Sequence, residues 1–291
     1  MTMSTDDNEH SASIKRLSRD LIEAAKTMSE VEARYLVDAF YISQDDRKRA
    51  HNQVRAMENE PHQVIAWLAD QSRILENQIK RALDTYTDAQ PAGRWAKSVY
   101  GIGPVLSAGL LAHIDIKRAP TVGHIYSFAG IAGSGQKPWK KGERRPYNAE
   151  FRTINWKLGQ CFMKFSNAEE CTYGHVYRAR KQYEIARNDD GRNAEIAAQI
   201  LASKKLGKDT EAYGHYSAGH LPPAQIDGRA RRYAVKLFLS HLHAVLFWYA
   251  YQRLPANPYA IDHLGHTHFA VMPNIELVPG LREALHAKGF V

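Results

Sequence analysis

The strongest constraint on this chain is the run Trp95-Ala96-Lys97-Ser98-Val99-Tyr100-Gly101-Ile102-Gly103-Pro104-Val105-Leu106-Ser107-Ala108-Gly109-Leu110-Leu111. An apolar helix end meets Gly-apolar-Gly, and a second helix begins at once. The glycines permit positive φ and place no side chain in the way of a group approaching the turn. Ile102 is the apolar plug that fastens the turn to both helices, and Ala108 lets the helices cross closely. Pro104 suits a first helical turn, where its missing N–H costs nothing. The pattern is that of a helix-hairpin-helix. Its second helix would offer free N–H groups at the positive end of its dipole, a seat for phosphate. A dinucleotide-binding loop is excluded, because the third glycine is missing and the residues before Gly101 read as helix rather than strand.

The charge is divided along the chain. Residues 1–90 carry 12 Lys and Arg against 16 Asp and Glu, a balance of −4, whereas residues 91–291 carry 27 against 15, a balance of +12. The later part is therefore expected to meet a polyanion and the first part to do something else. No apolar run reaches the roughly 20 residues of a membrane span, so no membrane partner is expected. The N-terminus lacks the basic and apolar regions of a signal peptide. Two cysteines, Cys161 and Cys171, are too few for a disulfide scaffold, and a reducing cytoplasm fits best.

The periodicity predicts a mainly α protein: an N-terminal helical hairpin or coiled-coil-like region over 1–90, a helical domain over 91–254 whose helix-hairpin-helix motif and basic charge point to DNA binding, and an irregular tail over 255–291. Glu30 to Ile42 is one expected helix, and Ser43 with Asp45 and Asp46 reads as the start of another that ends near Pro61. From His62 to about Thr87 a long helix places Val64, Leu68, Leu75, Ile79, Leu83 and Tyr86 on one face, close to a coiled-coil seam. That stripe packs on its own domain or joins two copies, so residues 62–87 are the expected route to a homo-oligomer. Ala89 to Gly93 is the expected boundary. Short helices are expected near 93–100, 104–114 and 121–129, a basic loop over 134–149, and an apolar-faced helix through Phe151, Ile154, Leu158, Phe162 and Phe165. A charged helical stretch over 172–207 and a connector over 215–228 lead to a largely buried helix from Arg229 to Arg253. The tail is expected to pair short strands before a last helix near 281–287.

The basic loop is the second chemical signal. Residues 137–157 hold Lys137, Lys140, Lys141, Arg144, Arg145, Arg152 and Lys157 against only Glu143 and Glu150. Trp139 and Tyr147 lie among the cations, where an aromatic face can stack on bases or sugars. The expected nucleic-acid-binding residues are thus Gly101, Ile102, Gly103, Pro104, Lys137, Trp139, Lys140, Lys141, Arg144, Arg145, Tyr147 and Arg152. Tyr173, Tyr177, Arg178 and Arg180 either extend this surface or form an ordinary solvated helix face.

The hairpin, the run Tyr126-Ser127-Phe128-Ala129-Gly130-Ile131-Ala132, the basic loop with Gly142 and the helix over 150–165 together resemble the C-terminal domain of the bridge-RNA-guided insertion-sequence transposases. The segment Arg229-Ala230-Arg231-Arg232-Tyr233-Ala234-Val235-Lys236-Leu237 is similar to the closing helix of that domain. The resemblance covers roughly 93–180 and 228–252. It implies duplex or junction DNA as partner, with a structured RNA as the alternative. It also implies an N-terminal RNase-H-like domain with four acidic metal ligands and a serine nucleophile just before a loop glycine. This chain departs on both counts. Its first 90 residues read as helices, and Lys141 stands before the corresponding Gly142.

Ser134, between Gly133 and Gly135, is the nearest serine and has no identifiable base. Asp262, His263, His266 and His268 gather three histidines and an acid in seven residues, a set able to hold a divalent metal for a nuclease, though no standard motif has that spacing. The alternative to a binding protein without catalysis is therefore a transposase, recombinase or nuclease that uses Ser134 or the 262–268 cluster. No cofactor beyond such a metal is expected. His241 and His243, two apart on one helix, cannot share a face, so at least one is expected in the core. Cys161 is expected to be a packing residue.

Overall fold

A computed structural model describes residues 16–56, 63–133, 139–257 and 271–288. The helices are α1 (Arg19–Ala24), α2 (Glu30–Ala56), α3 (Gln63–Asp88), α4 (Pro91–Ser98), α5 (Pro104–His113), α6 (Val122–Phe128), α7 (Ala149–Lys164), α8 (Thr172–Asp189), α9 (Ala194–Ser203), α10 (Glu211–Ser217), α11 (Pro223–Tyr251) and α12 (Leu281–Ala287). Short 3-10 turns lie at Ala25–Thr27, Ile116–Arg118 and Ile275–Leu277. The described residues form no strand, so the fold is all-α and the strands expected in the tail are not found among them. None of the described helices is long and apolar enough to cross a membrane. Contacts group the chain into two compact units, Met1–Lys97 with Gly103–Ile114, and Ser98–Ile102 with Asp115–Val291.

In the first unit α2 and α3 pack along each other, and both pack on α5. Helix α2 opens with a capping box: the Ser29 N–H donates to Glu32 at 2.7 Å, and the Glu32 N–H donates to the Ser29 hydroxyl at 3.3 Å. The break expected at Ser43 does not occur. Ser43 is buried in mid-helix, and Asp45 and Asp46 are held by Lys48 and Arg49 three residues on, each pair at 3.6 Å. A side chain suited to capping stays helical where its neighbours supply i,i+3 partners and tertiary packing covers it. Arg47 crosses to Glu76 on α3 at 2.6 Å and holds that carboxylate below its usual pKa against the opposing effect of burial. The Ala89–Gly93 turn lies inside this unit rather than at its edge. A Cβ on Gly93 would lie 2.3 Å from the Thr87 carbonyl and 2.9 Å from the Leu111 side chain, so α3, α4 and α5 close there only around hydrogen. Val105 through His113 are buried on every side, as an apolar helix without a polar face must be.

The second unit is organised by α11, which packs against α6, α7 and α8. Its buried face runs through Ile226, Ala230, Ala234, Val235, Phe238, Leu239, Leu242 and Val245. Helix α7 presents Phe151, Ile154, Leu158 and Phe162 to the core, and a Cβ on Gly159 would still lie at ordinary contact distance, 3.4 Å, from the Arg231 and Val235 side chains. Helix α11 starts at Pro223, six residues before the expected Arg229, because Pro223 stands in a first helical turn, where proline is tolerated. It stops on Gln252 in the left-handed region, φ 52°. Polar links tie α8 to α11. The buried Glu184 accepts from Arg180 at 2.5 Å and Arg229 at 3.3 Å. Asp227 accepts a hydrogen bond from Tyr177 and forms an ion pair with Arg231 at 2.7 Å. The tail docks through Trp248, whose indole N–H donates to the Pro279 carbonyl at 3.0 Å.

Of the two histidines on α11, His243 is the core residue. Its Nε2 is 2.8 Å from the Ala119 carbonyl. Burial, helped by the charge of His124, lowers its pKa from 6.5 against the opposing effect of that hydrogen bond. The folded protein therefore holds His243 neutral, and the unfolded chain takes up the proton more readily. This contribution is fully present above about pH 6.5 and is lost as pH falls through the folded pKa. Urea unfolding at pH 7.5 and at pH 5.5 is expected to show a smaller loss of stability in His243→Gln, which keeps a donor but does not titrate, than in the parent chain. Equal losses would remove His243 as a cause.

Candidate nucleic-acid interface

The two hairpin glycines differ in what the fold asks of them. Gly101 has φ +88°, and a Cβ there would be strained and only 3.0 Å from the Phe165 ring. Tyr100 stacks edge-on against the same ring at 5.6 Å between centroids. Ile102 is buried, as expected of a plug, and its N–H donates to the Val99 carbonyl at 3.0 Å. Gly103 has φ −99° and ψ 178°, an extended N-cap conformation open to any residue, and a Cβ there would meet nothing within 4 Å. Pro104 opens α5, and the Ser107 N–H returns to the Gly103 carbonyl at 3.0 Å. Gly103 and Pro104 are half-buried, whereas the Val105 and Leu106 side chains turn inward. Cys171 lies beside the Tyr100 carbonyl, and Cys161 is partly buried. Burial raises both thiol pKa values, which suits packing rather than reactivity.

The basic loop is ordered around its own aromatic residues. Helix α6 ends in a Schellman arrangement: the Gly130 N–H bonds the Ser127 carbonyl at 3.0 Å and the Ile131 N–H bonds the Tyr126 carbonyl at 2.9 Å. Gly130 has φ +68°, and a Cβ there would sit 2.8 Å from the Tyr147 ring and 2.9 Å from the Arg152 guanidinium. The Ala-Gly-Ile-Ala turn thus accommodates Tyr147 and Arg152, whose guanidinium lies 4.6 Å from the Tyr147 ring centroid and 3.3 Å from the Gly130 carbonyl. Further along, the Trp139 indole donates to the Glu143 carbonyl at 2.7 Å, and Arg145 lies 5.4 Å from the Trp139 ring. Gly142, φ +91°, makes the turn between them. Lys140, Lys141, Arg144 and Arg145 are all exposed. Asn148 caps α7 by accepting from the Phe151 N–H at 2.7 Å, which fixes Arg152 on its first turn.

Two cations absent from the expected set join Arg152. Lys236 on α11 has its Nζ 3.5 Å from the Ala132 carbonyl and 5.2 Å from the Tyr126 ring. The Tyr126 hydroxyl donates to the Lys236 carbonyl at 2.7 Å, so α6 and α11 are linked at that residue. Burial and the charge of Arg232 lower the Lys236 pKa. The Arg232 pKa is lowered by the atoms packed around its guanidinium and by the charges of Arg229, Arg152 and Arg231. The i,i+4 spacing of Arg232 and Lys236 was the available signal, hidden in a helix that reads chiefly as core.

Other expected residues fall elsewhere. Tyr173 and Tyr177 are buried, Tyr173 against the His241 ring nitrogen at 2.6 Å, so neither tyrosine extends a surface. Arg180 is taken up by Glu184, and Arg178 remains exposed. Lys137, Ser134, Asp262, His263, His266 and His268 lie outside the described residues. Among the described residues no three His, Cys, Asp or Glu side chains form a group able to hold a metal.

The Gly130 geometry makes a direct prediction. Gly130→Ala is expected to cost about 1–2 kcal/mol from the left-handed backbone alone, with a further loss from displacing Tyr147 and Arg152. Urea unfolding measures it, and a loss below about 0.5 kcal/mol, the range of neutral surface changes, would show that the turn yields.

Comparison of the chain with protein-family models, with curated proteins and with solved structures finds no match.

Proposed function

We propose that this chain binds DNA by gripping its phosphate backbone through a helix-hairpin-helix at Gly101-Ile102-Gly103 and through the basic loop over 137–152, as a protein of mobile-element recombination that performs no strand cleavage itself. One observation carries the reading. Gly103 is a glycine where neither φ nor packing requires one, next to a half-buried helix start. A glycine that suits an N-cap but that neither strain nor packing demands fits a backbone that something outside must approach closely. The exposed Lys140, Lys141, Arg144 and Arg145 supply the charge such a partner needs, and the resemblance to the transposase domain agrees with it. Lys141 in place of the expected serine supports binding without a covalent step, since an ammonium can hold a phosphate but cannot form the serine ester to DNA.

The test uses a short DNA duplex and the full chain. If about five phosphates are neutralised, log affinity is expected to fall with log salt at a slope near −4 to −5. Lys140→Ala and Arg144→Ala should each reduce that magnitude by about one. Gly103→Val should weaken binding while costing the fold no more than the roughly 1 kcal/mol of a poorer N-cap, because a Cβ there meets nothing within 4 Å in the chain itself. A slope near zero, or a Gly103→Val chain that binds as the parent does, would sink the reading. Tighter competition by a structured RNA than by the duplex would move the function to RNA. Supercoiled DNA incubated with Mg²⁺ should remain unnicked.

The first unit is assigned to association with a second copy. On the α3 stripe Ile79, Leu83 and Tyr86 are buried, but Val64, Leu68 and Leu75 are 60%, 51% and 38% exposed, and Trp67 beside them is 58% exposed. The exposed half continues the same near-heptad face, and a second copy offers an identical one, the condition for a self-complementary interface. Sedimentation of the full chain is expected to show a dimer that Leu75→Asp weakens by at least tenfold, about 1.4 kcal/mol. A monomer at high concentration would refute this assignment.

A further inference from the structure

We propose that Arg232 and Lys236 of α11, together with Arg152 of α7, form a seat for one backbone phosphate of the bound nucleic acid; the inference rests on the DNA-binding reading and adds residues to it. The argument begins with which cations are already neutralised. Helix α11 carries four between Arg229 and Lys236. Arg229 is paired with Glu184 at 3.3 Å and Arg231 with Asp227 at 2.7 Å. Arg232 and Lys236 are one helical turn apart on one face. Among the described residues, no carboxylate comes within ion-pair distance of either, or of Arg152. Glu184, the carboxylate whose charge bears on Arg232, is already occupied by Arg180 and Arg229.

What holds two of these cations, Lys236 and Arg152, is neutral. The Ala132 carbonyl and the Tyr126 ring face Lys236, and the Gly130 carbonyl and the Tyr147 ring face Arg152. Carbonyl dipoles and ring faces orient a cation without cancelling its charge. The like charges act on one another: beside burial, the charges of Arg229, Arg152 and Arg231 lower the Arg232 pKa, and that of Arg232 lowers the Lys236 pKa. An arrangement that gathers uncancelled positive charge at fixed positions is unfavourable in the protein alone and is relieved by an anion. Two guanidinium forks and an ammonium match the oxygens of a phosphate. The seat adjoins Gly130 and Ala132, the turn from which the basic loop departs, so it is continuous with the cations already assigned to the backbone.

Two measurements on the full chain test this. The first labels lysines with an amine-specific reagent at neutral pH and reads Lys236 by mass spectrometry, alone, with a short DNA duplex, and with inorganic phosphate at the same phosphate concentration. The duplex is expected to protect Lys236 at least threefold, and inorganic phosphate is not. The second compares Arg232→Gln and Lys236→Gln with Lys236→Arg. Each glutamine variant should lower the magnitude of the salt slope by about one, with a melting temperature equal to or above that of the parent because a like charge is gone. The arginine variant should keep the parent slope. Salt-dependent binding by the parent with unprotected Lys236 and unchanged slopes would overturn the seat and leave the DNA reading standing. A parent chain that fails to bind the duplex overturns both, and protection by inorganic phosphate alone then assigns a small-anion site. A lower melting temperature with an unchanged slope would make the two cations structural and overturn the seat.

Discussion

Helix α11 must satisfy two demands at once, and the second unit is arranged around how it does so. One face is packed with Phe238, Leu239, Leu242 and Val245 against α6, α7 and α8. The preceding turns carry Arg229, Arg231, Arg232 and Lys236. Charges beside a core are tolerated only when paired or kept at its margin. Glu184 of α8 and Asp227 of α11 pair the inner two, with Tyr177 and Lys181 completing the Asp227 site. The result is a set of links between α8 and α11 that apolar packing alone would not have specified, and an outer pair of cations, of which the α6 turn orients Lys236.

That turn shows how a local rule places chemistry. Gly130 is required by the left-handed C-cap of α6, and its missing side chain is also the space that Tyr147 and Arg152 occupy. A residue chosen for backbone reasons therefore determines where two side chains of the basic loop settle. Gly101 belongs to the same class, since its positive φ and the Phe165 ring both demand it. Gly103 does not. The contrast between two glycines separated by one residue is what distinguishes the parts of the hairpin that serve the fold from the part that faces outward.

Much of the helical content was legible because the apolar spacing is regular. The α3 and α7 faces and the early helices near 93–114 follow directly from it. The misreadings share a cause. Ser43 with Asp45 and Asp46 resembles a helix start, and Pro223 resembles part of a connector, yet each lies within a helix. At Ser43, packing against a neighbouring helix outweighs a capping preference of about 1 kcal/mol, whereas Pro223 misleads because a proline that marks a connector equally suits the first turn of a helix. Tyr173 and Tyr177 resembled surface aromatics among arginines, but their hydroxyls find buried or half-buried partners in His241 and Asp227.

The sequence by itself determined that the chain is helical, where most helices run, and that positive charge concentrates after residue 90. It also determined that Gly-Ile-Gly joins two helices with an apolar residue at its tip. These follow from periodicity, composition and the conformational range of glycine and proline, all of which act within a turn or two of the chain. Only the tertiary structure decided which cations are cancelled. Arg229 and Arg232 are alike in sequence, three residues apart on one helix, and differ because Glu184, 45 residues before Arg229, reaches one of them. Electrostatic pairing depends on distance in space, and local pattern does not record it.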